Sequence, residues 1–219
     1  MDEQPDVATN PLATNPRATN PQWAGVVLAG GGAVRMDGID KSAVEIAGRT
    51  LLEHALAALG DLPEVVVVGP EVPTSRPVTF TREDPAGGGP GAGLLAGLRA
   101  FPRLPELVLV LAVDMPRVTT ATVQRLRATA TAHPDGAVLV DGRRQHLCAA
   151  YRTAALLAAA PAPEQQHGLP MHRLVGGLRL GEVPALGDEA RDVDTWRDLR
   201  DLSDQDPSDR DPSDRDLSD

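Results

Sequence analysis

The sequence predicts an α/β fold, a Rossmann-like three-layer sandwich in which a mostly parallel, doubly wound sheet carries helices on both faces. Two patterns predict it. Several short runs, 107–113 most clearly, are apolar throughout, as strands covered on both faces must be. Between them lie stretches whose apolar residues recur at helical spacing, so strand and helix alternate along the chain. A third observation bears on function: the first apolar run ends in glycines, and in doubly wound sheets ligands sit beyond the carboxyl ends of the strands.

Residues 25–29 form that first run. Over 50–59, Leu51, Leu52, Ala55, Leu56 and Leu59 share one side of a helix. A run of four valines makes a strand of 64–68, and 78–81 is a short strand candidate. After a Gly-Pro-rich loop, 93–101 reads as helix. Residues 107–113 are a strand buried on both faces, and 120–131 a helix. Strands over 137–140 and 148–151 flank a turn at Asp141-Gly142. Helices over 153–160 and 169–175, a strand over 178–183 and a helix over 195–202 complete the series.

At 219 residues and 42% hydrophobic, the chain can build one domain with a real core, but aromatics are only 2%, so Val, Leu and Ala must fill it. Both ends are repetitive. Ala-Thr-Asn-Pro recurs at 8–11, 13–16 and 18–21, and Asp-Pro-Ser-Asp-Arg at 206–210 and 211–215. Neither end has apolar residues to offset the entropy of ordering it. Residues 1–22 and 203–219 are therefore expected to be disordered tails around a domain over 23–202.

The net charge of −10 belongs mostly to the second tail, where residues 201–219 carry eight Asp against two Arg. The rest of the chain has an ordinary charge and no basic stripe, which argues against a nucleic-acid partner. No apolar run approaches the roughly 20 residues of a membrane span, and the acidic start Met1-Asp2-Glu3 is unlike a secretory leader. The single cysteine, Cys148, leaves no internal disulfide or cysteine-based zinc cage and reads as a small buried apolar residue. Together these features predict a soluble cytoplasmic protein without a membrane partner.

The chemistry concentrates after the first strand, in Leu28-Ala29-Gly30-Gly31-Gly32-Ala33-Val34-Arg35-Met36-Asp37-Gly38-Ile39-Asp40-Lys41. Consecutive glycines let backbone N–H groups converge on an anion without Cβ interference. Arg35 and Lys41 can add charge for a triphosphate. Lys41 stands out further because it is the only lysine among 21 basic residues, and ammonium and guanidinium differ in shape and donor geometry. The bland alternative is a flexible loop with a surface lysine. The spacing fits neither the dinucleotide-binding fingerprint nor a P-loop. Asp114 follows the buried strand, with Pro116 opposing continuation, where a carboxylate would suit Mg²⁺ or merely form a turn. Asp192 and Asp194 are two apart and precede a helix, so Asp194 reads either as part of a helix cap, with Thr195 and Asp198, or as a second metal ligand.

Leu28-Ala29-Gly30-Gly31, Arg35-Met36 and Asp40-Lys41 resemble the signature of the molybdenum-cofactor guanylyltransferases, the MobA-like family of the nucleotidyltransferase superfamily. The resemblance extends over roughly 24–202: Glu83-Asp84, Gly89-Pro90-Gly91-Ala92-Gly93-Leu94, Val113-Asp114-Met115-Pro116, the hairpin from Asp141 to Tyr151, and Asp192-Val193-Asp194-Thr195 follow in family order. It implies Mg²⁺-dependent transfer of GMP from GTP to the phosphorylated pterin molybdopterin, with pyrophosphate released. It also implies that proteins of the molybdenum-cofactor pathway are partners. By the same resemblance Leu28, Ala29, Gly30 and Gly31 contact the nucleotide, Asp84 the guanosine, and Lys41 and Arg35 the phosphates, while Asp114 and Asp194 hold the metal.

Some positions depart from the family pattern. Gly32 and Ala33 replace a more polar pair, Asp37 puts a negative charge beside the phosphate loop, and His146 and Cys148 occupy the hairpin where Pro and a polar residue are expected. Two rivals follow. A sister enzyme transferring CMP to the same pterin is disfavoured by Gly30 and Met115 but shares Asp192-Val193-Asp194-Thr195 with some of its members. A nucleotide-binding protein without catalysis is suggested by Asp37 and Ala33.

Overall fold

Alternation within single strands decides the architecture. Along β1 (Trp23–Leu28), Trp23 and Val27 join one apolar cluster while Ala24, Val26 and Leu28 join another. Along β6 (Leu107–Ala112), Leu107, Leu109 and Leu111 face the first cluster, and Val108 and Val110 the second. Both faces of the sheet are therefore buried, which is why these strands are apolar without interruption. In this computed structural model residues 22–30 and 41–203 are described.

The first cluster is closed by α1 (Leu51–Ala58), through Leu51, Leu52, Ala55 and Leu56, and by α3 (Thr120–Ala132), through Val123, Leu126 and Ala130. The second is closed by α2 (Gly89–Arg99), with Leu94, Leu95 and Leu98, and by Leu156 of α4 (Thr153–Ala159) and Leu174 and Val175 of α5 (Met171–Val175). This is the three-layer sandwich the patterns predict. Caps fix where helices begin: the Thr50 hydroxyl accepts from the Glu53 N–H at 3.2 Å, and Thr119 and Thr122 form a reciprocal capping box.

The remaining strands are β4 (Val65–Val68), β5 (Thr79–Thr81), β7 (Gly136–Asp141), β8 (Arg143–Arg152) and β9 (Leu180–Pro184), in the seven-stranded order β5-β4-β1-β6-β8-β7-β9. Only β8 runs against the others, pairing antiparallel with both β6 and β7, so the sheet is mostly parallel. The chain winds from β1 outward to β4 and β5, then returns to place β6 on the other side of β1. The carboxyl ends of β1 and β6 therefore flank the point where winding reverses, the place where such sheets open a crevice.

Three features depart most from the sequence reading, the first being that β8 begins at Arg143 and not at the expected 148. Helix α2 starts at Gly89, four residues before the expected 93, because Pro90 fits the first helical turn and glycines inside the helix face the sheet. A Cβ on Gly97 would lie 2.9 Å from Val26 Cγ1, so glycine there lets helix and strand approach. A small hairpin of β2 (Glu45–Ile46) and β3 (Arg49–Thr50), absent from the expected series, leads into α1. The chain ends its described course in α6 (Trp196–Ser203). The expected tails over 1–22 and 203–219 lie, apart from Gln22 and Ser203, outside the described residues. Among those residues no helix is long and apolar enough to cross a membrane.

Candidate active site

The floor of the site is the end of β1. Beyond it, the Ala29 N–H donates to Val68 O at 2.9 Å, and the Val113 N–H reaches Leu28 O at 3.1 Å, so the ladder continues until both segments turn away. A Cβ on Gly69 would sit 3.0 Å from Ala29 Cβ; the close packing of these two segments requires glycine. Leu28, Ala29 and Gly30 line a cavity of about 160 Å³ with Val113 and Asp114 from the end of β6. Pro90 at the start of α2, Leu147 of β8 and Lys41 complete its wall.

Lys41 opens a 3₁₀ turn over Lys41–Ala43, and its side chain reaches the segments around Asp114 and Asp194. Its Nζ donates to Asp194 Oδ1 at 2.8 Å, to Val193 O at 2.8 Å and to Asp114 Oδ2 at 3.4 Å. The Lys41 side chain is 16% exposed, against 28% for Asp114 and 43% for Asp194. Burial alone would lower the pKa of the ammonium. The hydrogen bond to Asp194 and the charges of both carboxylates outweigh it and hold Lys41 above the ordinary lysine value. For Asp114, burial pushes the carboxyl above the ordinary range, Lys41 pulls it back, and the neighbouring Asp192 and Asp194 charges raise it again. A carboxylate kept costly to ionise, beside other acids, favours the approach of a cation.

Asp194 reaches the site because the 192–195 segment is stitched to β6. The Val193 N–H donates to Asp114 O at 2.8 Å, and the Val193 side chain is fully buried in the first cluster. The cap of α6 is made by its neighbours: Asp198 Oδ2 accepts from the Thr195 N–H and hydroxyl at 2.8 and 2.7 Å, and from the Asp194 N–H at 3.2 Å. The capping role thus falls on Thr195 and Asp198, while the Asp194 carboxylate binds Lys41. Asp192 is exposed and enters only through its charge.

Of the nucleotide residues expected from sequence, Leu28, Ala29, Gly30, Lys41 and Asp114 share one cavity. Asp84 does not line it. It lies on the other side of the α2 start, in a groove of about 400 Å³ with Glu83, Gly88, Arg99 and His167. Gly31 and Arg35, like Gly32, Ala33 and Asp37, lie outside the described residues. The sequence reading missed Val193 and Leu147. Val193 acts through its backbone, which no residue type announces; its one signal is an apolar residue between two acids. A register shift between Val138 and Leu139 in the β7–β8 pairing places His146 and Leu147 on a bulge of β8, the bend that brings Leu147 to the cavity.

Cys148 is buried, and burial pushes its thiol up to about 12, which removes it from nucleophilic chemistry. A larger cavity, about 590 Å³, lies behind the β2–β3 hairpin against α1 and is lined by none of these charged groups. Convergence of charge at the strand ends, not volume, marks the site. Among the described residues no group of three or more His, Cys, Asp or Glu side chains forms a metal cage. Two hard carboxylates gripping one ammonium do fit a Mg²⁺ site, because that ion takes one or two carboxylates and completes its shell with substrate phosphates and water.

The chain resembles known proteins over this same framework. Residues 25–180 match the MobA-like NTP transferase domain. A probable molybdenum cofactor guanylyltransferase of Mycobacterium tuberculosis is 40% identical over 140 residues, which cover 59% of this chain and 68% of that protein. The molybdenum cofactor guanylyltransferase of Burkholderia vietnamiensis is 36% identical over 157 residues, covering 64% of this chain and 72% of its own. The crystal structure of molybdopterin-guanine dinucleotide biosynthesis protein A from Archaeoglobus fulgidus superimposes with a TM-score of 0.63 at 22% identity, over 83% of this chain and 97% of that one. At that identity the structural match establishes the fold. The length of the domain match, together with relatives at 36–40% identity, establishes the family: the chain belongs to the MobA-like NTP transferases and is a nucleotidyltransferase.

Proposed function

We propose that the enzyme transfers GMP from GTP to molybdopterin, releases pyrophosphate and uses Mg²⁺. The observation that carries this reading is the meeting of Lys41, Asp114 and Asp194 at the switch point of the sheet, above the backbone of Leu28, Ala29 and Gly30. The names of the relatives supply the guanylyl donor and the pterin acceptor.

In this reading an oxygen of the acceptor's terminal phosphate forms a bond to the α-phosphorus of GTP. The bond from that phosphorus to the α,β-bridging oxygen breaks, and its electron pair leaves with pyrophosphate. The attacking phosphate is already ionised, so the protein need supply neither a nucleophile nor a base. Its work is positioning and neutralising charge. Asp114 and Asp194 would hold Mg²⁺, which when bound neutralises charge on the phosphate oxygens. Lys41 offsets charge on the triphosphate, with Arg35 proposed for the same task. Leu28, Ala29, Gly30 and Gly31 offer backbone contacts to the nucleotide. Asp84 lies outside that cavity, in its groove beyond the α2 start, and is proposed to meet the nucleoside from there.

Equilibrium titration with GTP and CTP, each with and without Mg²⁺, followed by a pyrophosphate-release assay with molybdopterin, tests the reading. GTP is expected to bind and turn over in preference to CTP. Equal or better use of CTP would make the enzyme a cytidylyltransferase. Binding without pyrophosphate release would make the chain a nucleotide-binding protein only.

A further inference from the structure

The Lys41 ammonium stands where a divalent cation would stand, bonded to both carboxylates of the site. Resting on the nucleotidyl-transfer reading above, we propose that Lys41 is a displaceable internal cation that keeps free metal out of the empty site and yields to a metal–nucleotide complex. The ligand class the site accepts is then the metal-bound nucleoside triphosphate, and not metal or nucleotide added separately.

Geometry supports mutual exclusion. One nitrogen lies 2.8 Å from Asp194 Oδ1 and 3.4 Å from Asp114 Oδ2, so a divalent ion bonded to the same oxygens would share its position or press directly against the ammonium. Like charges that close, in a half-buried site, repel strongly. Asp194 and Asp114 retain enough exposure for a cation to arrive from solvent, so access is not the obstacle; occupancy is.

Chemistry supports displacement. A metal-bound triphosphate keeps a net negative charge on its oxygens, so Lys41 can exchange carboxylate for phosphate partners while the metal takes over the carboxylates. A four-carbon stem lets a compact ammonium swing from carboxylate to phosphate oxygens. Once it leaves, Asp114 and Asp194 are released to the metal that arrives with the nucleotide. The same reasoning accounts for the residue type. This chain uses arginine for every other basic position. A planar guanidinium would clamp the carboxylates with a bidentate grip that resists release, whereas a point charge can exchange partners. Val193 O, the third acceptor at 2.8 Å, holds the ammonium in the resting position and interacts only weakly with it by comparison with a phosphate.

The test measures Mn²⁺ binding to the full chain by loss of the free-ion paramagnetic resonance signal, with and without α,β-methylene GTP, which cannot transfer its nucleotidyl group; the loss caused by the analogue without protein is subtracted. Wild type is expected to bind Mn²⁺ alone at least tenfold more weakly than in the presence of the analogue. Lys41→Met is expected to bind Mn²⁺ alone at least tenfold more tightly than wild type, and Lys41→Gln, a second neutral variant, to show the same gain should the first fold poorly. Lys41→Arg is expected to exclude Mn²⁺ as wild type does but to weaken its entry with the analogue. Analogue-dependent Mn²⁺ binding by wild type, with neutral variants that gain nothing for Mn²⁺ alone, would overturn the displacement idea and leave nucleotidyl transfer standing. Failure of wild type to bind the analogue under any condition would overturn both.

Discussion

Lys41→Ala removes a side chain that ties three parts of the fold together: the turn after the glycine loop, the end of β6 and the start of α6. The stability cost can be worked from its contacts. The bond to Val193 O is short and charge-assisted, so it falls within the range of about 1.5–3 kcal/mol for such bonds. The bond to Asp194 is as short, but a partner 43% exposed is screened, which leaves roughly 0.5–1 kcal/mol. The 3.4 Å contact to Asp114 adds little. A total of about 2–4 kcal/mol, at about 2–4 °C per kcal/mol for a domain of this size, lowers the Tm by about 4–16 °C. Activity should fall much further, by roughly 10²-fold or more in kcat/KM, the scale for removing a preorganised charge. Lys41→Arg separates the two effects: it keeps the charge and should recover part of the Tm, but not the turnover, because the planar fork does not reproduce the compact ammonium. Thermal melts and pyrophosphate release are measured on the same samples, with turnover read well below each variant's Tm. Wild-type turnover in Lys41→Arg, or an unchanged Tm in Lys41→Ala, would refute the reasoning.

Asp114→Asn tests the electrostatics with the sign worked out. The Asp114 carboxyl titrates above its ordinary value in the fold, so between those two values the native state holds the extra proton and stability falls as pH rises. Above that window the penalty remains in full. The variant should therefore melt at or above wild type at neutral pH, lose that advantage as pH falls through the carboxylate range, and lose activity by roughly 10²-fold or more; a lower Tm at neutral pH that persists in acid would count against it. Gly136→Ala tests the fold away from the site. Gly136 has φ +133°, and a Cβ there would lie 2.0 Å from Ala150 O, so the variant combines backbone strain with a clash against backbone. It should lose about 3 kcal/mol or more in chemical denaturation, and a loss within about 1 kcal/mol would show that β7 can shift off β8.

How far the sequence could be read depended on which groups carry each contact. The strands buried on both faces were legible because β1 and β6 must be apolar at every position when helices cover both sides. The start of α2 was not, because Gly89, Pro90 and Gly91 read as loop, although Gly91 is needed where the first turn presses against Leu169, as Gly97 is farther along against Val26. The two-residue strands β2 and β3 are too short to show a period. Within the site, Lys41 and Asp114 announced themselves by rarity and by position after a strand. The choice between capping and cation binding at Asp194 could not be made from spacing, because Asp-Thr before a helix satisfies both patterns. Only the three-dimensional arrangement divides the roles, giving the cap to Thr195 and Asp198 and the carboxylate of Asp194 to Lys41.

That division ties the last described helix to the candidate site. The region matched to the family domain ends at residue 180, before the segment that carries Asp194. Yet the Val193 N–H is bonded to Asp114 O, the Val193 carbonyl accepts from Lys41, and the Val193 side chain is anchored in the core beneath them. One buried valine thus fixes the distance between the two carboxylates through its backbone on one side and its packing on the other. The capping box at Thr195 and Asp198 then sets the direction in which Asp194 leaves the backbone. Disturbing the packing under Val193 should therefore move both acids relative to Lys41 without touching any charged group, so the chemistry of the strand ends depends on how α6 docks.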